Sequence, residues 1–510
     1  VRRPPTLLLG AASLVAAAML LPLYYLGDRA LDRGWSFVVD ELAQPRTVSL
    51  VGRSVLLVVV VTAACVVLGV AFAVLLTRTD VPGRRSLGVF LALPLAIPSY
   101  LLAFLWLSIE PAVAGFWGAC LVLTLGCYPY VLLTTTAALN RIDPAHEEVA
   151  RSLGLGGVAV LWRVTLRQVR AAIAAGALLV ALYVISDFGA VAAMRYEAFT
   201  WVIYGAYRSG FNPSRAAVLS LVLMVFAVAL VVAEGRARGR AAASRVGSGS
   251  ARPAPVSALG GWRWVAVLGP LAVLAAALAV PVVALAEWLR TAGPQWEAAE
   301  WWSAVVSTLW LSGIAAVVCT AAALPLGVLV ARYRSPLARG LEGVSYVAHG
   351  LPGIVIAIAM VSVGVVALRP LYQREPLLIL AYAVLLVPLA VGSVRAAIEA
   401  APVRHEEVAR SLGRGPMAAF AKVTARAAAP GIAAGAALVL LTCMKELPVT
   451  LLLRPTGTDT MATRLWNYSS VSDYASAAPY AAALMLFAAI PTAALGLWSG
   501  QTVRVAHAGE

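Results

Sequence analysis

Residues 147–154 read EEVARSLG, and residues 406–413 read EEVARSLG again. The offset is 259 residues in a chain of 510, so one half of the protein is a variant of the other. The likeness extends outward from the string. A histidine, His146 or His405, precedes each copy, and nine residues after each copy comes Val-Thr, as Val164-Thr165 and Val423-Thr424. Behind these lie two small-residue apolar runs, AAIAAGALLV at 171–180 and GIAAGAALVL at 431–440. Self-similarity on this scale means that every other feature is to be counted in pairs.

Composition sets the environment. The chain is 61% hydrophobic and 12% charged with a mean hydropathy of +0.87, whereas soluble domains carry about 25% charged residues. A transmembrane helix needs about 20 mostly apolar residues. Runs of that kind fall near 6–26, 51–77, 87–109, 112–138, 171–194 and 216–233, then near 263–288, 303–330, 343–368, 377–398, 430–453 and 478–500. The expectation is an all-α membrane protein of about 12 transmembrane helices in two six-helix repeats. Long continuous runs exclude a β-barrel, whose strands are short and alternating.

A net charge of +15 raises the question of a polyanionic partner, and the positions of the charges answer it. With an inside N terminus carrying Arg2 and Arg3, the inner loops collect Arg78, Arg84, Arg85, Arg141, Arg151, Arg163 and their second-half counterparts such as Arg332, Arg410 and Lys422. The outer loops receive about half as many, which is the positive-inside asymmetry of a membrane protein. No nucleic-acid partner is needed; the partner is the lipid bilayer. The first apolar stretch is read as an uncleaved helix, not a signal peptide, which puts both termini in the cytoplasm. The five cysteines, Cys65, Cys120, Cys127, Cys319 and Cys443, lie in apolar segments without metal-ligand or disulfide spacing and read as packing residues.

The halves have the same handedness. The strings LGVAFAVL (68–75) and LGVLVA (326–331) are followed by short basic turns, TRTDVPGRR and ARYRSPLARG, on the same side of the membrane. The repeats are therefore parallel and not inverted. The first repeat occupies residues 1–233, the second 263–510, and a Gly-, Ser-, Arg- and Pro-rich stretch at 234–262 reads as a flexible cytoplasmic linker. Pro94 and Pro98 in the third span, and Pro352 in its counterpart, predict kinks facing the bundle interior.

The repeated strings lie in loops at 139–170 and 398–429, each read as a short helix, a glycine turn and a second amphipathic helix. Pro144 and Pro402 precede the first helix, and Gly154 and Gly413 stand where it should stop. Exposed alanines would let another backbone approach, and Glu147, Glu148 and Arg151 would orient it, which is how a docking element is built. An amphipathic interfacial helix without a partner is the rival, weakened by the duplication.

At these residues the chain resembles the membrane subunits of ATP-binding cassette importers. Their signature is Glu-Ala-Ala, three residues and glycine, then nine residues and Ile-x-Leu-Pro. Glu148, Ala150, Gly154 and Glu407, Ala409, Gly413 match it. Valine replaces the middle alanine, and Arg167 and Arg426 replace the terminal proline. The resemblance implies a type I importer permease in a bacterial inner membrane, whose short loop helix is the coupling helix that sits in a groove of an ATPase subunit. It also implies an extracytoplasmic solute-binding protein and an ATPase, a homodimer, that uses ATP and Mg. The chain cannot be its own ATPase: a phosphate-binding loop needs Gly-Lys, and Lys422 and Lys445 follow Ala421 and Met444. It is expected to be no enzyme and to carry no cofactor.

Asp187 and Glu446 also stand 259 residues apart, as do Arg195 and Arg454. Ionisable groups at membrane depth usually face a bundle interior or a water-filled path. At 1.5 Å per residue, Asp187 should lie about 24 Å along a helix starting at Ala171, toward the outer half. The two carboxylates could form a cation-attracting entrance, with Tyr183 adding a phenolic oxygen, or could pair with arginines or Lys445 and lock an outer gate. Both readings stay open, and no metal site is assigned. The stretches MKELPVTLLLRPTGTDTMATRLW (444–466) and DFGAVAAMRYEAFTWVIYGAY (187–207) resemble ferric-iron importer permeases. That resemblance implies ferric iron as cargo, with thiamine, an organic phosphonate or a polyamine as the alternative. A secondary transporter driven by an ion gradient and a membrane-embedded enzyme are the readings from other classes.

Overall fold

The computed structural model describes residues 4–243, 256–292, 297–333 and 335–488. Arg2, Arg3 and Arg334, the 244–255 part of the expected linker, the last expected span beyond residue 488 and the C terminus lie outside the described residues. Nine helices among the described residues are long and apolar enough to cross a membrane, and a bent pair, Arg84–Ala96 with Ser99–Ile109, makes a tenth. Two shorter apolar helices, Gly353–Val366 and Tyr474–Ala488, stand where the ninth and twelfth spans were expected. Among the described residues β pairing is limited to one isolated bridge, Thr79 with Ser257.

The third span of each repeat is broken, not kinked. The first break bends the chain by 93°. Ile97 is extended (φ −80°, ψ 124°) because it precedes proline, and Pro98 (φ −59°, ψ 139°) then starts a new helix from outside its first turn. Pro352 has the same backbone (φ −59°, ψ 141°) before Gly353–Val366. By contrast Pro129 and Pro388, also 259 residues apart, sit inside the continuous helices Phe116–Leu139 and Glu375–Ala400. At the other end of the first repeat, the helix Pro213–Ala243 runs into the stretch read as linker, where alanine and arginine favour helix.

Packing divides the chain differently from the sequence repeat. One unit holds the described residues of Val1–Gln44, Val202–Val228 and Glu297–Arg464; the other holds those of Pro45–Trp201, Ala229–Trp296 and Leu465–Glu510. In the second of these, Pro45–Arg78, Phe116–Leu139 and Gly157–Ser186 pack mutually, and the chain Trp262–Ala292 lies against Ser99–Ile109. In the first, Ala298–Arg332, Glu375–Ala400 and Pro416–Met444 form the same three-helix core, and Thr6–Leu31 packs along it. The leading helix of each sequence half is thus built into the unit that contains the other half's core.

The three-helix cores need small residues at their crossings. A Cβ on Gly176 would come 2.5 Å from Thr134 Oγ1, and one on Gly435 would overlap Ser393. These two glycines, 259 residues apart, let the fifth span of each repeat touch the fourth.

Candidate functional site

The repeated string folds alike in both units. The helix Ala145–Ser152 begins after Pro144, and Asp143 Oδ1 accepts the amide of Ala145 at 3.0 Å. It ends in Gly154 at φ +85°, with Leu155 N donating to Ala150 O (3.1 Å) and Gly154 N to Arg151 O (2.9 Å). The helix Val403–Ser411 ends the same way, with Gly413 at φ +84°, Arg414 N to Ala409 O (3.2 Å) and Gly413 N to Arg410 O (3.0 Å). This is the six-to-one and five-to-two closure that requires a left-handed residue, hence glycine. The expected second amphipathic helix is not separate. It begins at Gly157 or Pro416 and continues through a π turn, Leu161–Thr165 or Phe420–Thr424, into the spanning helix.

The face of the short helix corrects one expectation. Ala150 and Ala409 are buried, not exposed. The exposed large apolar residues are Val149 and Leu153 in the first copy and Val403, Val408 and Leu412 in the second, with Glu148 and Glu407 exposed beside them. A rise of one position turns a helix by about 100°, so the residue before Glu148 faces inward.

That residue is Glu147, expected with Glu148 to orient a docking partner and instead buried. Its carboxylate is 2% exposed. Thr165 Oγ1 donates to Glu147 Oε1 at 3.0 Å, Arg78 Nη2 lies 3.1 Å from the same oxygen, and Arg151 Nη2 lies 3.7 Å from Oε2. Arg78, the last residue of Pro45–Arg78, also donates to Leu139 O at 3.2 Å. The second copy repeats the arrangement: Thr424 Oγ1 donates to Glu406 Oε2 at 2.9 Å, and Arg332 Nη2, from the last residue of Ala298–Arg332, is 3.7 Å away. In each unit one carboxylate thus ties the short helix to two members of the three-helix core. The signal was present in the sequence, since the duplicated wording runs from His146 to Thr165.

The carboxylates of the fifth spans are helix caps. Asp187 is not inside its helix, which begins at Gly157 and ends at Ser186. Asp187 Oδ1 accepts Ala190 N (2.8 Å) and Val191 N (3.4 Å) at the start of Gly189–Ala193, and Ser99 Oγ donates to Oδ2. Glu446 Oε1 accepts Val449 N (3.1 Å), and its Oε2 accepts Thr450 N (3.1 Å) and Thr450 Oγ1 (3.0 Å). Each carboxylate therefore satisfies the free amides of the next short helix and stands at the break in the third span, beside Ser99 or Gly353. Tyr183 joins the first cluster, tilted against Tyr130 and beside Ser99.

The arginines that the locked-gate reading would pair with them go elsewhere. Arg454 makes its ion pair with Asp459, which Arg464 Nε also approaches at 2.9 Å. Arg195 is exposed, with φ +54°. Among the described residues no group of three or more His, Cys, Asp or Glu is placed to hold a metal ion.

Comparison with known proteins places this geometry in a family. Residues 65–233 and 323–501 each match the binding-protein-dependent transport system inner membrane component. The chain is 36% identical over 495 residues to the Fe(3+)-transport system permease protein FbpB 2 of Haemophilus influenzae, covering 96% of this chain and 98% of that one. It is 27% identical to the sulfate transport system permease protein CysT of Salmonella typhimurium over 43% of this chain and 87% of that protein. With a probable molybdenum ABC transporter permease protein of Haloferax volcanii it shares 28% over 44% of this chain and 90% of that protein. Two matches to one family, each containing a copy of the repeated loop, show that the chain belongs to the binding-protein-dependent inner membrane components of ABC transport systems.

Proposed function

We propose that the chain is the permease subunit of an ATP-driven importer of ferric iron. The observation that carries the cargo is the end-to-end likeness to the Fe(3+) permease over 96% of the chain, where the sulfate and molybdenum relatives align with less than half. Thiamine, a phosphonate or a polyamine is the alternative cargo. Family membership sets aside the ion-gradient mechanism.

In this reading two copies of a separate ATPase subunit hydrolyse ATP with Mg, and this chain holds no cofactor and catalyses no reaction. Val149, Leu153, Val408 and Leu412, exposed on the short helices, enter apolar grooves of the ATPases, and Glu148 and Glu407 supply polar contacts at their edges. An extracytoplasmic binding protein delivers the cargo. The repeated loops and both termini face the cytoplasm of a bacterium, and the spanning helices lie in its inner membrane. Asp187 and Glu446 act at the translocation gate by holding the breaks of the third and fifth spans together. Tyr183, Arg195 and Arg454 are the neighbouring groups whose charge and hydrogen bonding the gate would use.

The test is uptake of radioactive ferric iron by iron-starved cells with and without the gene, with labelled thiamine in parallel. Loss of iron uptake alone is the expected result. Unchanged iron uptake, with the ATPase and binding protein expressed, removes the iron assignment.

A further inference from the structure

We propose that Glu147 and Glu406 are positioning residues that make each short loop helix move as one body with the spanning helices, so that a push received on the loop is delivered to the bundle. The covalent route between loop and span cannot deliver it. Between Ser152 and the next helix the chain runs through Gly154 and Gly156, and in the second copy through Gly413 and Gly415, the residue type with the most backbone freedom. A load on the short helix would be lost in bending these turns.

The carboxylates bypass the turns. Glu147 reaches Arg78, at the end of Pro45–Arg78, and Thr165, in the next spanning helix. Glu406 reaches Arg332 and Thr424 in the same way. Both threonines are more than nine-tenths buried and close a π turn. Such a turn inserts one residue into a helix and is frequent at functional sites. An ion pair of this burial is poorly suited to adding stability alone, since desolvation offsets much of its attraction. Its recurrence in both units, with the arginine each time the last residue of a long helix, fits a mechanical joint.

The inference rests on the ATP-driven reading above, and its test has one arm that does not. In the first arm, a nitroxide is placed at an exposed position of the short helix, Ser152→Cys, in the full-length permease alone; the five native cysteines are buried. Thr165→Val, which keeps shape and removes the hydroxyl, should increase the mobility of the label, and Thr165→Ser should restore it. In the second arm, the permease is reconstituted with its ATPase and binding protein. Thr165→Val should weaken the contact between loop and span by about tenfold, the equivalent of one hydrogen bond to a charged group, and so lower ferric iron transported per ATP hydrolysed while ATP hydrolysis persists. Glu147→Ala should do so more severely. Unchanged label mobility overturns the joint, and raised mobility with unchanged iron per ATP overturns its role in transmission. Failure of the iron reading would leave the first arm intact.

Discussion

The two joints share their residues and differ in their surroundings. In the first, Arg78 and Glu147 side chains are 8% and 2% exposed and 3.1 Å apart; in the second, Arg332 and Glu406 are 15% and 21% exposed and 3.7 Å apart. The first is also strapped. Ser257, in the last part of the stretch read as linker, donates its amide to Arg78 O (2.9 Å) and accepts Asp80 N (3.3 Å), while Leu259 N donates to Asp80 Oδ1 (2.8 Å). The string EEVARSLG is identical in both copies, so the difference comes from what surrounds it. An identical motif acquires its energy from neighbours that the motif does not specify.

The largest expected effect separates the two glutamates. Glu147→Ala leaves Arg78 buried without its counter-charge and should cost about 3–5 kcal/mol. Glu406→Ala, at a wetter pair, should cost about 1–2 kcal/mol. Unfolding temperatures of the purified variants in one detergent measure both, and equal shifts would break the comparison. The glycines should show no such asymmetry. Gly154 and Gly413 have φ of +85° and +84°, and a Cβ at either meets nothing within 4 Å, so Gly→Ala should cost about 1 kcal/mol at each through backbone strain alone. Gly154→Asp or Gly413→Asp should further abolish transport with insertion intact, because the added charge would enter the proposed docking face; normal uptake in either would remove that face from the mechanism. The smallest effect belongs to the strap. Asp80→Ala removes one acceptor, and the amide of Leu259 should exchange with solvent about fivefold faster, as the loss of about 1 kcal/mol requires. Exchange at the wild-type rate would leave the strap without energetic weight.

Much of this was readable from the residues. Duplication and apolar runs announced the repeated spans, and Gly154 and Gly413 announced where the short helices stop. Glu147 was hidden behind Glu148, because composition cannot tell which of two adjacent glutamates faces inward when one step rotates the side chain by about 100°. The caps were legible too, beside the entrance and gate readings weighed for the same carboxylates. Asp187 stands two residues before a short helix, and Pro448 follows Glu446 at a position where proline opens helices, both ordinary signs of a helix start. The breaks at Pro98 and Pro352 carried the same kind of sign. The exchange of the leading helices between packing units could not be read at all, since Thr6–Leu31 is equally apolar whichever core receives it.

The most direct measurement is the initial rate of radioactive ferric iron uptake in iron-starved cells carrying wild type, Glu147→Ala or Glu406→Ala at equal membrane abundance. The expected result is near-complete loss with Glu147→Ala and a partial loss with Glu406→Ala. Wild-type rates in both variants would contradict the claim that these carboxylates carry the work of the ATPase into the membrane.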